Sequence, residues 1–296
     1  MEQLINIRKE ISKKPDWIKV RLPTQQQYFE LKKLLRKSSL HTVCEEAACP
    51  NIYECFSRGV ATFMIMGDVC TRYCHYCHVK TGKPAPLDTS EPEHLADAIK
   101  ALGLQYVVIT CVTRDDLADG GASHFVACIQ AIRAKVPTCK IEVLTSDFNY
   151  NDAALTTVVA AAPDVFSHNI EAPRRVYRMV RKKGKYEESL RLLHLIKKID
   201  PSLQTKSGFM LGLGERENEI IEVMGDLRMV DCNFLTIGQY LQPTVKHAVV
   251  EKYYHPSAFE KFSAIGKEMG FLHVEAGPLV RSSYRAGEVY KEVDAS

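Results

Sequence analysis

From residue 61 onward the chain alternates short apolar runs with amphipathic, helix-like segments, and this rhythm restricts the fold more than any other feature. The runs span 61–67, 106–112, 140–145, 164–171, 204–212 and 234–241, with a less regular one at 271–275. Helical patterns lie between them near 91–103, 124–136, 151–162, 187–200, 215–230 and 257–270. Strands that are apolar along their length need cover on both faces, and strands separated by helices join through crossovers, so the pattern predicts a parallel sheet. About six βα units predict an α/β fold, a partial or complete (β/α) TIM-like barrel, although an open doubly wound sheet fits the alternation almost as well. In either architecture the chemistry belongs at the C-terminal ends of the strands.

With 296 residues, the chain has room for such a barrel and two extensions. The expected division is an N-terminal extension at 1–60, a barrel at 61–277 and a C-terminal extension at 278–296, with the extensions covering the barrel mouth. A helical pattern around Tyr28, Leu31, Leu34 and Leu35 belongs to the first. Met1–Glu10 has no apolar core of a signal peptide, and no stretch approaches the roughly 20 apolar residues of a membrane span. A cytoplasmic location with reduced thiols is therefore expected, with no membrane partner. The net charge of +3 argues against a nucleic-acid partner. It hides two basic segments, 1–40 and Arg174–Lys198, which read either as solvated helix faces or as a docking surface for an acidic protein.

Six of the ten cysteines fall between Cys44 and Cys77. Packing would scatter them, so the cluster asks for a ligand. The second triplet, Cys70, Cys74 and Cys77, has C-x3-C-x2-C spacing directly after the first expected strand. Three thiolates on one loop can hold three irons of a cubane and leave the fourth open, as a catalytic site needs. A zinc site completed by His75 or His78, or a redox pair Cys74-x-x-Cys77, are the alternatives. The first triplet, Cys44, Cys49 and Cys55, has C-x4-C-x5-C spacing, which alone is uninformative. The remaining Cys111, Cys128, Cys139 and Cys232 have no ligand spacing and read as apolar filler.

The second triplet, with aromatic Tyr76 before its last cysteine, resembles the radical S-adenosylmethionine enzymes. Both triplets together, followed by Arg281-Ser282-Ser283-Tyr284, resemble the lipoyl synthase family. The likeness runs from about Cys44 to Ala286 and includes Thr113-Arg114-Asp115-Asp116-Leu117, His168-Asn169-Ile170-Glu171 and Lys206-Ser207-Gly208. It implies two 4Fe-4S clusters. One, on Cys70, Cys74 and Cys77, binds S-adenosylmethionine and cleaves it to a 5′-deoxyadenosyl radical. The other is auxiliary and sacrificial, held by Cys44, Cys49, Cys55 and Ser283, and gives up its sulfide. The implied reaction inserts two sulfurs at carbons 6 and 8 of an octanoyl-lysine on a lipoyl carrier domain. Implied partners are octanoylated carriers (the glycine cleavage carrier protein and 2-oxoacid dehydrogenase acyltransferase subunits), a reductant such as ferredoxin or flavodoxin, and an iron–sulfur carrier protein for cluster rebuilding.

The same resemblance proposes cofactor contacts. Tyr76 is expected near the adenine. The superfamily's Gly-Gly-Glu motif is absent after the second strand, so Thr113 and Asp115 become candidates for the amino group, against a turn- or helix-capping role. Asn169 and Glu171 close the fourth strand and are expected to meet ribose or carboxylate. Lys206, in an otherwise apolar strand, needs a carboxylate if buried, and the cofactor offers one. Gly208 and Met210 belong to a G-x-I-x-G-x-x-E-like segment, and Gln239, Tyr240 and Leu241 end the sixth strand; their backbones are expected beside adenine. Two rival functions remain at this stage: a radical enzyme that sulfurates tRNA, and a non-catalytic two-cluster protein.

Overall fold

Residues 106–111, Tyr-Val-Val-Ile-Thr-Cys, form a strand because β-branched side chains suit the pleat and both of its faces are covered. The same logic repeats along the chain. The computed structural model describes residues 13–20, 26–58 and 60–294, so the reading of Met1–Glu10 lies outside it. An N-terminal layer holds α1 (Gln26–Lys37), β1 (His41–Thr42), α2 (Val43–Glu46) and α3 (Ile52–Ser57). The barrel follows with β2 (Thr62–Ile65), β3 (Val69–Cys70), β4 (Lys80–Thr81), α4 (Glu91–Leu102), β5 (Tyr106–Cys111), α5 (Ala122–Lys135) and β6 (Lys140–Leu144). It continues through α6 (Asp152–Ala160), β7 (Val165–Ser167), α7 (Arg174–Val180), α8 (Tyr186–Ile199) and β8 (Gln204–Leu211). It closes with α9 (Glu217–Met229), β9 (Phe234–Gln239), α10 (Pro256–Glu268), β10 (His273–Gly277) and α11 (Ala286–Asp294).

The main sheet has the order β1-β2-β5-β6-β7-β8-β9-β10. Every pair from β2 to β10 is parallel, and β1 adds antiparallel to β2. Neighbouring strands in sequence are neighbours in space, the order of a partial barrel rather than of a doubly wound sheet. Local signals set the element ends. Gly103 stops α4 in a left-handed conformation at φ 63°, and the Asn151 side chain accepts the Ala154 N–H to start α6. In α1, Tyr28, Leu31 and Leu35 share the buried face and join the main core.

Three differences from the sequence-based expectation matter for the site. The fourth strand, expected over 164–171, ends at Ser167, because Glu171 turns left-handed at φ 68° and returns only through a single bridge to Phe209. Helix α7 fills the connection that follows. The C-terminal extension meets the mouth through Ser282, which accepts from Asn169, but its last helix does not stay there. It descends from β10, passes the side of β9 where a Cβ on Gly238 would stand 2.2 Å from the Val280 carbonyl, and ends in α11 at the barrel base. There α11 packs Tyr290 on Tyr106, the first residue of β5, with ring centroids 5.5 Å apart.

The base also holds Lys206. Its Nζ lies 3.0 and 3.2 Å from the Glu142 carboxylate, which also accepts from Ser167 and Tyr106. The expected carboxylate partner exists, but β6 provides it, at the end of the barrel opposite the mouth. A buried cation takes the nearest fixed anion rather than waiting for a ligand. Lys206 is therefore removed from the set of cofactor contacts.

Candidate active site

The loop carrying Cys70, Cys74 and Cys77 lies at the mouth and is pinned on every side. Thr71 N–H and Oγ1 both donate to the Thr113 carbonyl, at 3.0 and 2.9 Å. His75 N–H donates to Val180 O, and Ala248 N–H donates to His75 O, each at 2.8 Å. His247 Nε2 donates to Cys77 O at 2.9 Å. Arg72 is buried beneath the loop, forked onto Asp115 at 2.8 and 2.7 Å and onto Asp147 at 2.6 Å. Asp115, expected at the cofactor amino group, thus has a guanidinium across both oxygens and serves the loop. Thr113 contributes its backbone, with a carbonyl for Thr71 and an N–H 3.3 Å from Cys70 Sγ. Arg72 N–H is 3.4 Å from the same sulfur. Two backbone amides thus point at one sulfur. Burial pushes the Cys77 thiol up to about 12 and raises that of Cys74, which the Arg181 charge opposes.

Beside the loop, Tyr76, Asn169, Glu171 and Arg181 form one polar group. The Glu171 carboxyl accepts from Asn169 and Tyr76; desolvation raises its pKa, and Arg181 opposes the rise. Arg181 Nη1 donates to the Tyr177 hydroxyl at 3.0 Å, and Nη2 lies 3.7 Å from Asp147. Sequence reasoning missed Arg181, which sat unmarked in the basic segment. The segment itself dissolves in the structure. Arg174 pairs with Glu187, Arg175 with Glu219 and Arg191 with Asp152 and Glu188, while Arg178, Lys182, Lys183 and Lys185 remain exposed on the mouth side.

An apolar patch completes the mouth. Ala172, Val176, Val180, Leu213, Tyr240, Ala248 and Val250 are buried together, with Tyr76 and Met210 packed against them. Three expected adenine contacts, Tyr76, Met210 and Tyr240, thereby come into one cluster; Leu241, next to Tyr240, is half-buried. Two others make further contacts within the protein. A Cβ on Gly208 would stand 2.2 Å from Thr236 Oγ1, so its glycine answers the neighbouring strand. The Gln239 side chain is spent on the backbone of Leu211, Tyr240, Lys252 and Tyr254.

The first triplet meets the C-terminal segment. Burial pushes Cys44 and Cys55 up to about 12, with further repulsion from Cys49, and desolvation raises Cys49 against the Arg281 charge. Cys44 and Cys55 therefore each sense a cysteine of the same triplet as a near charge. Ser283 lies 2.6 Å from the Thr62 hydroxyl, 221 residues away in sequence, and α2 with its buried Cys44 packs on the strand that carries Thr62. Asn51 donates to Leu279 O at 2.6 Å, Tyr284 to Glu54 at 3.3 Å, and Asn169 to Ser282 Oγ at 2.6 Å. The RSSY segment is thus sewn between the first triplet and the mouth. Among the described residues, no three His, Cys, Asp or Glu side chains converge on a single metal ion. His78 instead meets Glu46 O, so neither histidine completes a zinc tetrahedron. Cubane ligands bind separate irons and need no such convergence. Cys128, Cys139 and Cys232 are buried filler, whereas Cys111 is half-buried and its thiol senses the charge of Cys70.

Comparisons with known proteins give the family. A family profile described as the Radical SAM superfamily matches residues 64–227, and one described as the N-terminal domain of lipoyl synthase of the Radical SAM family matches residues 2–49. A curated lipoyl synthase of Caldicellulosiruptor saccharolyticus is 52% identical over 280 residues, covering 95% of this chain and 98% of that protein. Among solved structures, Streptococcus suis SuiB aligns with TM-score 0.56 at 11% identity, over 84% of this chain and 59% of that one. HydG, a maturase of the [FeFe]-hydrogenase, aligns with TM-score 0.56 at 12% identity, over 81% and 54%. The chain spans well under two thirds of either structure, and these likenesses concern the fold alone. With a curated relative at that identity over nearly both whole chains, the chain belongs to the lipoyl synthase family of the radical S-adenosylmethionine superfamily.

Proposed function

We propose that Cys70, Cys74 and Cys77 hold the cofactor-binding cluster and that Cys44, Cys49, Cys55 and Ser283 hold the auxiliary one. As a lipoyl synthase the chain is a radical sulfurtransferase whose cofactors are S-adenosylmethionine and two 4Fe-4S clusters. When bound, these groups supply a carbon-centred oxidant for an unactivated C–H bond and the sulfur that replaces the hydrogen. The observation that carries the assignment is the 2.6 Å contact of Ser283 with Thr62 on β2, the strand onto which α2 and its buried Cys44 pack. An oxygen is a poorer ligand than a thiolate for a soft iron–sulfur cluster, so it marks the iron most easily released.

The chain's own residues then bind, orient and exclude water. Arg72 holds the second cysteine loop against Asp115 and Asp147. The half-buried Asn169 and Glu171, backed by Arg181, offer polar contacts for the ribose and the methionyl end of the cofactor. Tyr76, Met210, Tyr240 and Leu241 offer an apolar floor to its adenine. In this reading 1–60 is the extension that carries the auxiliary cysteines, 61–277 the barrel and 278–296 the segment that returns Ser283.

The substrates are octanoylated lipoyl carrier domains. The exposed Arg178, Lys182, Lys183 and Lys185 at the rim suit an acidic carrier, whether the glycine cleavage carrier protein or a dehydrogenase acyltransferase subunit. Ferredoxin or flavodoxin as electron donor, and an iron–sulfur carrier for rebuilding, follow from the same family reading. Ten free cysteines fit a reducing compartment, the cytoplasm, and no helix of the described residues is long and apolar enough to cross a membrane.

The test is mass spectrometry of an octanoyl-lysine peptide after anaerobic reconstitution, reduction and addition of S-adenosylmethionine. The expected product carries two added sulfurs, and about eight irons load per chain. No gain of sulfur with both clusters present refutes the assignment. Cys55→Ala should leave about four irons and abolish sulfur insertion while some reductive cofactor cleavage survives.

A further inference from the structure

We propose that Thr62 is a positioning residue that sets Ser283 against Cys44, so that the oxygen and thiolate ligands of the auxiliary site are both registered to the first residue of β2. The proposal rests on the auxiliary-site reading above and adds to it a residue outside both cysteine motifs and outside RSSY. Thr62 is 4% exposed, so water does not compete for its hydroxyl. Its hydroxyl donates to Ser283 Oγ at 2.6 Å, and the pairing of β1 with β2, Thr42 opposite Phe63, brings α2 and its buried Cys44 onto the same strand. A β-branched side chain in a strand has a restricted χ1, so the backbone of β2 fixes where that hydroxyl points.

Ser283 needs such a hold. It lies on the connection between β10 and α11, away from regular structure. Asn169 grips Ser282, and the close approach of Gly238 to Val280 fixes the backbone before it, but neither contact reaches the Ser283 oxygen. The single Thr62 hydroxyl proton is directed at the Ser283 oxygen. A serine oxygen that accepts one hydrogen bond keeps a second lone pair for a metal. Thr62 therefore holds the weak ligand in place without competing for the bond it makes.

The experiment compares anaerobically reconstituted wild type with Thr62→Val, Thr62→Ser, Ser283→Ala, Cys55→Ala and the double variant Thr62→Val with Ser283→Ala. The readouts are iron per chain, the Mössbauer spectrum, and the rate at which a chelator removes the auxiliary irons. Thr62→Val keeps the side-chain shape and loses the hydroxyl, and should speed iron removal roughly tenfold, the worth of one hydrogen bond to a charged group. The spectrum should lose the distinct iron of the oxygen-ligated site. Thr62→Ser should restore both, and Thr62→Val should add nothing in the Ser283→Ala background. Wild-type removal rate and spectrum in Thr62→Val overturn the proposal. So does a Thr62→Ser protein as labile as Thr62→Val, which would mean that the methyl matters, or a full further effect in the Ser283→Ala background. If Thr62→Val does not fold, Thr62→Ala takes its place against the same serine rescue. Cys55→Ala separates the two readings: retention of about eight irons sinks the auxiliary-site assignment itself, whereas a fall to about four with a wild-type-like Thr62→Val sinks only the role of Thr62.

Discussion

Arg72 carries the cysteine loop's ion pairs, so replacing it with Met is the most direct test of how that loop is held. The change leaves the Asp147 side chain, 1% exposed, with Arg181 at 3.7 Å as its remaining guanidinium. Removing one partner of a buried pair costs about 3–5 kcal/mol. Arg181 and the Asn149 N–H, 3.0 Å from Asp147 Oδ1, still serve that carboxylate, which places the cost near the low end. The Asp115 half adds little, because that side chain is 22% exposed and water can replace the guanidinium. About 3 kcal/mol then corresponds to a fall in Tm of roughly 6–12 °C for a chain of this size. The assay is thermal and urea unfolding of the cluster-free protein, so that metal binding does not mask the loss. It becomes a test of charge through a double-mutant cycle with Asp147→Asn, which keeps the turn contacts and removes the anion. In the Arg72→Met background Asp147→Asn should recover at least about 1 kcal/mol, giving a coupling well above the scatter of independent sites. Effects that add within about 0.5 kcal/mol refute the reasoning and make Arg72 a packing residue.

Two further predictions follow from single contacts. His168 is buried, and desolvation followed by the Arg181 charge holds its pKa down to about 4, with Nδ1 donating to Thr145 O. Its folded pKa lies below its unfolded value of about 6.5, so its neutral burial favours the fold above pH 6.5 and that advantage is lost at about 1.4 kcal/mol per unit as pH falls toward 4. His168→Gln should flatten this slope in urea unfolding of the cluster-free protein, and an unchanged slope would assign it to other groups. A Cβ at Gly238 would stand 2.2 Å from the Val280 carbonyl, a backbone atom that cannot yield without moving the RSSY segment. Gly238→Ala should therefore lower auxiliary iron toward about four per chain while the other cluster still loads, and full iron content would show that the segment tolerates displacement.

The alternation of apolar runs and helical patterns specified a parallel α/β sheet, because periodicity is local and survives in one dimension, while the strand order that makes it a barrel came from the structure. Every strand from β2 to β10 except the short β3 and β4 coincides with an expected run. The spacing of Cys70, Cys74 and Cys77 likewise announced one metal site, since ligands on one loop are neighbours by covalent geometry alone, whereas the first triplet gained its role only through the family resemblance. Local pattern failed where a partner comes from far along the chain. Arg181 looked like one more surface cation until the fold placed it between Glu171 and Asp147. Lys206 looked like a cofactor contact until β6 brought Glu142 within 3.0 Å of it. Asp115 and Gly208 looked like ligand contacts until Arg72 and Thr236 filled the space beside them.

What the sequence determined by itself was the parallel α/β architecture, the two triplets and, through motif resemblance, the family. The family resemblance already paired Ser283 with the first triplet, and only the tertiary structure shows the contact, with Thr62, through which it approaches that side of the barrel. Ser283 and Thr62 are 221 residues apart, and nothing in the composition of either segment announces their meeting. That contact exists because the C-terminal segment is forced down past β9, with no Cβ on Gly238 to block it, and is anchored at the base by α11 against Tyr106. Side-chain periodicity sets elements, but only the closure of the sheet fixes the distances between their ends, and a metal site is made of those distances.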